Sequence, residues 1–351
     1  MKNIKRSIAC LMILCFILTP LKVESYGYKM VRMGTYPHKC YIDNYDYEND
    51  TSKVDVSGTR KNITVSLREI LEHYGYNASW NSYNKISSFS KENKRLLIKT
   101  ETLSSVLNGS SVKSAEPIRL HDGKTFASLD FVNFMGESVV FLEFKPNKDK
   151  PSYKKEISNF YFEPLNLKRS LTMTEKESAV FGEMAVGLLN ADLPDFKKSE
   201  IDDNLILNYA LKNALTYDEY KKITLRDGKR VADFSLKTVN EYAGEVFGKT
   251  LSSSAFKTVL NSGHALNKRD MTSVEYRSPY FSVTTATFRP EIRNSAEIFA
   301  MDNVGGNLYN IYFNGYTTGV SSNPVFEGTF MFSVELKGTK YELTGFKAYI
   351  K

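Results

Sequence analysis

The sequence reads as an α+β protein in two domains, a duplicated β-α-β unit followed by a group of helices that gives way to an antiparallel sheet. Three observations lead there. A pattern of polar cap, short apolar stripe and glycine stop occurs at Ser66 to Gly75 and again at Ser128 to Gly136. Between Thr174 and Gly248 the apolar residues recur with a period near 3.6, and from Tyr280 onward the period falls to 2.

The first 25 residues stand apart from this plan. Lys2, Lys5 and Arg6 precede an apolar run from Ser7 to Leu21, and Val23-Glu24-Ser25 supplies a cleavage pattern, so residues 1–25 are expected to be a signal peptide. A retained anchor would need about 20 apolar residues, more than stand before Pro20. A lipid-bearing Cys15 would need a small residue before it, where this chain has Leu14. Cleavage would lower the net charge from +7 to +4. The remaining lysines and arginines are interleaved with acids, which argues against nucleic acid as a partner. Only Cys40 of the three cysteines would persist, so no internal disulfide is expected, and a partner for that thiol would come from another molecule.

Residues 26–37 are a short extension, and the first domain is expected over 38–145. Asp43 to Asp50 is acidic but lacks the glycine and the distal glutamate of a calcium loop, so it reads as a surface turn. Ser66 and Glu69 have capping-box spacing, Leu67, Ile70, Leu71 and Tyr74 form one stripe, and Gly75 ends the helix. Tyr76, Ala78 and Trp80 then alternate with polar residues as in a strand, Asn81 to Asn84 turn the chain, and Ile86–Phe89 and Arg95–Lys99 are further strands. In the second copy Ser128 caps, Leu129, Val132 and Met135 form the stripe, Gly136 stops it, and Ser138 to Phe144 is a strand.

Residues 146–172, with Pro146, Pro151 and Pro164, read as a linker, and 173–351 as the second domain. Thr174 and Glu177 cap a helix with Ala179, Val180, Met184 and Leu188 on its face. A second helix follows Asp203, using Leu205, Ile206, Tyr209 and Ala210, and a third runs from Ser235 through Val239, Tyr242, Ala243 and Val246 to Gly248. Strands are expected around Phe281–Thr285, Glu297–Met301, Leu308–Phe313, Val325–Leu336 and Lys340–Ile350. This layout resembles cystatin-like or NTF2-like folds, although no motif carries the likeness.

The run from Lys61 to Leu71, Gly75-Tyr76-Asn77-Ala78-Ser79-Trp80, Val106 to Gly109, Asp122 to Thr125 and the Ser128-Leu129 helix resemble the copper amine oxidase N-terminal-like (stalk) domain, found repeatedly in secreted proteins of Gram-positive bacteria. Ser66 and Ser128 stand where that family commonly has proline, and Asp130 replaces a usual arginine, a change expected to affect a surface contact. The resemblance implies a non-catalytic appendage, with copper and the tyrosine-derived cofactor in a separate, larger domain. His38, His73, His121 and His264 form no His-x-His pair, so no copper or other cofactor is expected.

Candidate chemistry is thin. His264 near Ser252-Ser253-Ser254 suggests a nucleophile and its base, but there is no nucleophile-elbow motif, so it reads as a loop histidine. His38 and Cys40 are too few for zinc. Tyr36, Tyr41, Tyr45 and Tyr47 suit a sugar-binding surface, with cross-strand packing as the preferred explanation. No catalytic, cofactor or metal residue is assigned. The sequence points to an exported, envelope-associated, non-catalytic binding or scaffold protein, with cell-wall glycan or another envelope protein as partner and no membrane span after cleavage. An envelope-directed hydrolase and a small-ligand sensor, each with its site in the C-terminal domain, are the alternatives.

Overall fold

A computed structural model describes residues 39–42, 56–57, 63–100, 102–121, 123–145, 156–215, 223–261, 271–285, 293–318 and 324–350. The expected signal peptide, 1–25, and the expected surface turn at 43–50 lie outside them. Residues 37–351 form one compact unit.

The N-terminal half opens with β1 (Lys39–Ile42), β2 (Val56–Ser57) and β3 (Thr64–Ser66), then helix α1 (Leu67–His73). A meander follows through β4 (Asn77–Asn81), β5 (Ile86–Lys91), β6 (Lys94–Lys99), β7 (Thr102–Leu107) and β8 (Ser110–His121). The second copy comprises β9 (Lys124–Ser128), helix α2 (Leu129–Asn133) and β10 (Ser138–Lys145), with β11 (Glu156–Pro164) after it.

The two copies meet strand to strand, with Val65 of β3 opposite Ala127 of β9 in an antiparallel pair. Gly75 and Gly136 stop the two helices at φ values of +82° and +70°, a region costly for any residue with a Cβ. After the stops the copies diverge. β4 becomes the edge of an eight-stranded sheet in the order β2-β3-β9-β8-β7-β6-β5-β4, whereas β10 joins β11 and β1 in a separate three-stranded sheet.

Neither serine cap forms as the spacing predicts, for neither Ser66 nor Ser128 makes a side-chain cap hydrogen bond at its helix start. Ser66 Oγ instead donates to the Glu69 carboxylate, which also takes an ion pair from Lys124 Nζ at 2.9 Å. A charged partner on the neighbouring copy draws the glutamate away from the helix start.

Part of the segment read as a linker is regular structure. Residues Glu156–Pro164 are β11, antiparallel to β10 and parallel to β1. Phe160 and Phe162 supply the reason, because both are completely buried beside Val140 and Leu142 in the first-domain core.

The C-terminal half begins with α3 (Glu175–Ala191) and α4 (Asp203–Ala214), then β12 (Ile223–Arg226) and β13 (Lys229–Ser235), α5 (Leu236–Phe247) and α6 (Ser253–Asn261). It closes with β14 (Met271–Arg277), β15 (Tyr280–Thr285), β16 (Arg293–Gly305), β17 (Leu308–Thr318), β18 (Val325–Lys337) and β19 (Lys340–Ala348). The capping box at Thr174 and Glu177 is complete. The buried face of α3 is rotated from expectation, however, to Phe181, Met184, Ala185 and Leu188, leaving Ala179 exposed. Phe181 decides this by packing edge-on against Phe332 and Tyr341. Helix α4 is buried on all sides, including Asn208, Lys212 and Asn213. Such a helix sits inside the core and has no solvent face.

β16 to β19 form a four-stranded antiparallel sheet in sequence order. One face contributes Phe313, Phe330, Phe332 and Phe346 to the core shared with α3, α4 and α5. The other face holds Ala300, Tyr312 and Tyr349 against Val139 and Phe141 of β10, with the Phe141 and Tyr349 rings 4.7 Å apart edge to face. Both faces of this sheet are therefore covered along its middle. That explains its runs of apolar residues, which are denser than a half-exposed sheet requires.

Candidate functional site

Two places combine polar side chains in ways that packing alone does not require. One is internal. At the bulge between Gly315 and Tyr316 in β17, the Tyr316 hydroxyl donates to Asp130 Oδ2 at 2.7 Å and lies 3.3 Å from Glu297 Oε2. Beside it Asn133 Nδ2 donates to Asn314 Oδ1 and to Thr329 Oγ1, and Asn314 Nδ2 donates to the Asp130 carbonyl oxygen. Asp130, Asn133, Asn314 and Thr329 are fully buried. Asp130 thus makes no surface contact, contrary to the sequence expectation, because the C-terminal sheet covers the exposed side that α2 would have by itself. Burial, then the Asp130 and Glu297 carboxylates, push the Tyr316 phenol far above its ordinary value, so it is a permanent donor. The cluster joins the two halves, and we read it as architecture.

A second polar group, around Glu137, also has a structural role. Tyr76, Lys91 and Lys94 all donate to this carboxylate, at 3.1, 3.2 and 2.8 Å. Burial works to raise Glu137, but the lysine and tyrosine bonds outweigh it and hold the group below the usual carboxylate range. A depressed folded-state value means stability that is present above the unfolded pKa and lost as pH falls through the folded one. Glu137→Gln is therefore expected to lower stability at neutral pH and to flatten its decline below about pH 4, as chemical denaturation across pH would show.

The other place is open to solvent. On one face of β4, β5 and β6, a groove of about 570 Å³ is lined by Ser79, Asn81, Asn84, Ser88 and Arg95, with Ile86 and Leu97 contributing apolar floor; Trp80 borders it on the edge strand, where alternation sends its side chain to the opposite face. Cross-strand pairing builds it, with Ser79 opposite Ser88, Ser88 opposite Leu97 and Asn81 opposite Ile86. Its rim is the β4–β5 turn, where Asn81 Oδ1 accepts from the backbone N–H groups of Tyr83 and Asn84. This sets Tyr83 out at the tip with 97% of its surface exposed, and Trp80 beside it keeps 41%. Arg95 is fixed through its backbone, whose N–H donates to Asn108 Oδ1 at 2.7 Å and whose carbonyl accepts from Asn108 N–H at 2.9 Å. No carboxylate lines the groove. Hydroxyls, amides, a guanidinium and an accessible ring can hold a polyhydroxylated ligand; nothing in this set acts as a nucleophile with its base.

A sequence model of the copper amine oxidase N-terminal domain matches residues 45–142, the stretch that contains both repeat copies and the groove. This part of the chain is similar to that family. The copper amine oxidase N-terminal domain is non-catalytic. Compared with curated proteins, the chain gives no match. Among the described residues no three His, Cys, Asp or Glu side chains converge on a metal position, and no helix is long and apolar enough to cross a membrane.

The residues weighed from sequence fall elsewhere. His38, Tyr36, Tyr45, Tyr47 and His264 lie outside the described residues, and Cys40, Tyr41 and His121 are described only by their strand backbone. His73 ends α1, edge-on to Tyr74. Ser252 to Ser254 mark the start of α6, where Ser252 Oγ accepts from Ala255 N–H and Ser253 Oγ shares a hydrogen bond with the Tyr276 hydroxyl. Helix capping accounts for them. Sequence reading placed Ser79 and Arg95 on strands but not in a site. The available signal was a strand of mostly small and polar residues beside an Asn- and Ser-rich turn.

Proposed function

We propose that the chain is an exported, cell-envelope-associated, non-catalytic binding or scaffold protein, and that its copper amine oxidase N-terminal domain takes glycan in the β4–β6 groove. The observation that carries this reading is the set of amide and hydroxyl side chains, Asn81, Asn84, Ser79 and Ser88, lining the groove, with the exposed Tyr83 ring on the adjoining turn. Sugars present apolar C–H faces to rings and hydroxyls to amides, and a ring with a polar tip suits such a wet surface. A groove of this volume lies in the range of ordinary small-molecule sites. Export is supported by the basic start and apolar run of residues 1–25.

Purified mature protein is expected to sediment with isolated cell wall and to bind its soluble oligosaccharide fragments. The substitution Tyr83→Ala should weaken that binding about tenfold, from the loss of about 1.4 kcal/mol of ring contact, with the thermal unfolding midpoint little changed. Retention unaffected by that change would remove the groove from the reading. Absence of binding to any wall or glycan preparation would end it.

A further inference from the structure

We infer that the groove selects a carboxylate-bearing glycan, with the Arg95 guanidinium as the group that recognises the acid; this rests on the glycan reading above. The side chain of Arg95 pairs with none among the described residues, whereas several lysines of the same half are matched. Lys91 and Lys94 on either side of the β5–β6 turn are bound to Glu137, and Lys124 is bound to Glu69. Arg95 is mounted differently from its neighbours. Both its backbone groups are held by Asn108 and it pairs with Ser90 across β5, so the Cα is fixed while the guanidinium extends over the groove that it lines.

The geometry favours an anion over any other polar group. A guanidinium offers planar, two-pronged donation that fits a carboxylate, and such charge-assisted pairs are about twice as strong as neutral ones. No Asp or Glu lines the groove, so an incoming carboxylate meets no like charge there. The lining crosses three strands, roughly 10 Å at ordinary strand spacing. That width leaves room for ring contact at the Tyr83 end while an acid group on an adjoining sugar reaches Arg95. An Asn-and-Ser groove without the arginine would bind neutral and acidic sugars alike.

Titration calorimetry on the full mature chain decides the matter, with oligogalacturonate trimers and their carboxyl-reduced counterparts of equal length as probes. The uronate is expected to bind at least tenfold more tightly than the reduced form. Arg95→Ala should abolish that preference, bringing the two trimers to equal affinity, and Arg95→Lys, which keeps the charge but loses the planar fork, should restore only part of it. Equal binding of the two trimers would overturn the acid selection while the glycan reading stands. Failure of both to bind would overturn both readings. A glutamate tripeptide bound as tightly as the uronate would overturn this inference too, by showing that charge alone is recognised and that a peptide fits as well.

Discussion

Replacing Asp130 with alanine is expected to cost about 3 kcal/mol of stability, because it removes the acceptor of a buried phenol and opens space at the contact between the two halves. The carboxylate is completely buried, and Tyr316 donates to it at 2.7 Å. Tyr316→Phe keeps the ring and removes only the donor. It should cost about 1–3 kcal/mol, since a buried carboxylate then lacks one of its bonds. The double variant should be less destabilised than the sum of the two, by about 0.5–3 kcal/mol, because each single change strands the other group. Urea denaturation of the four proteins measures this, and strict additivity would show that the two groups do not act together. Hydrogen exchange supplies a second reading: amides of α2 and of β17 should lose protection in step in Asp130→Ala, because the cluster spans them. Arginine, the usual residue of the family at this point, is expected to be tolerated worse than alanine, since it would bring a large cation into a space closed by Asn314 and Thr329.

Gly187→Ala is the second large effect. Gly187 lies on α3 where α4 crosses closely. A Cβ there would overlap the Tyr209 hydroxyl oxygen and come within 3.0 Å of Cζ. Tyr209 is buried, and its ring packs edge-on against Phe247 with centroids 5.3 Å apart, so it has nowhere to retreat. The carbonyl of Gly187 also accepts from Asn213 Nδ2 at 3.0 Å, which ties the two helices at the same level. Alanine gains about 1 kcal/mol in helix propensity over glycine, but overpacking of a filled core costs about 1–3 kcal/mol. A net loss is expected, read as a lower denaturation midpoint at unchanged m-value. Tyr209→Phe removes the nearest clashing atom and should return part of that loss, while Cζ still presses on the new methyl. Greater stability in Gly187→Ala would refute the close approach.

Much of the fold was legible locally. Thr174 and Glu177, Ser235 with Gly248, and the alternation through Phe330, Phe332 and Val334 act over a few residues, and the structure realises each of them. Two hairpins were equally local, though the reading passed over them. Asn108-Gly109 and Asp227-Gly228 both take left-handed backbone, at φ values of +49° and +86° and of +50° and +73°. These are the dipeptides that two-residue strand turns favour. Helix α6 was missed for another reason. Its serines drew attention as nucleophiles, and their capping role shows only once Tyr276 and the Ala255 N–H are seen beside them.

The candidate groove was less legible, because its residues converge across strands. Ser79 and Arg95 lie sixteen positions apart, and only the pairing of β4 with β5 and of β5 with β6 brings them to one surface. A register slip of one residue would send every one of these side chains to the opposite face.

The sequence by itself determined the class of the fold, the caps at Thr174 and Ser235, the glycine stops at Gly75, Gly136 and Gly248, the change from helical to strand period, and the likeness of the repeat region to its family. Those properties depend on neighbours within a turn or a hairpin. Only the tertiary structure decided that Phe160 and Phe162 belong to a strand of the first core, that Asp130 is interior, and that Arg95 stands over a groove without a counter-charge. Each depends on a partner supplied from far along the chain, and no local pattern encodes whether water or another element will cover a given side.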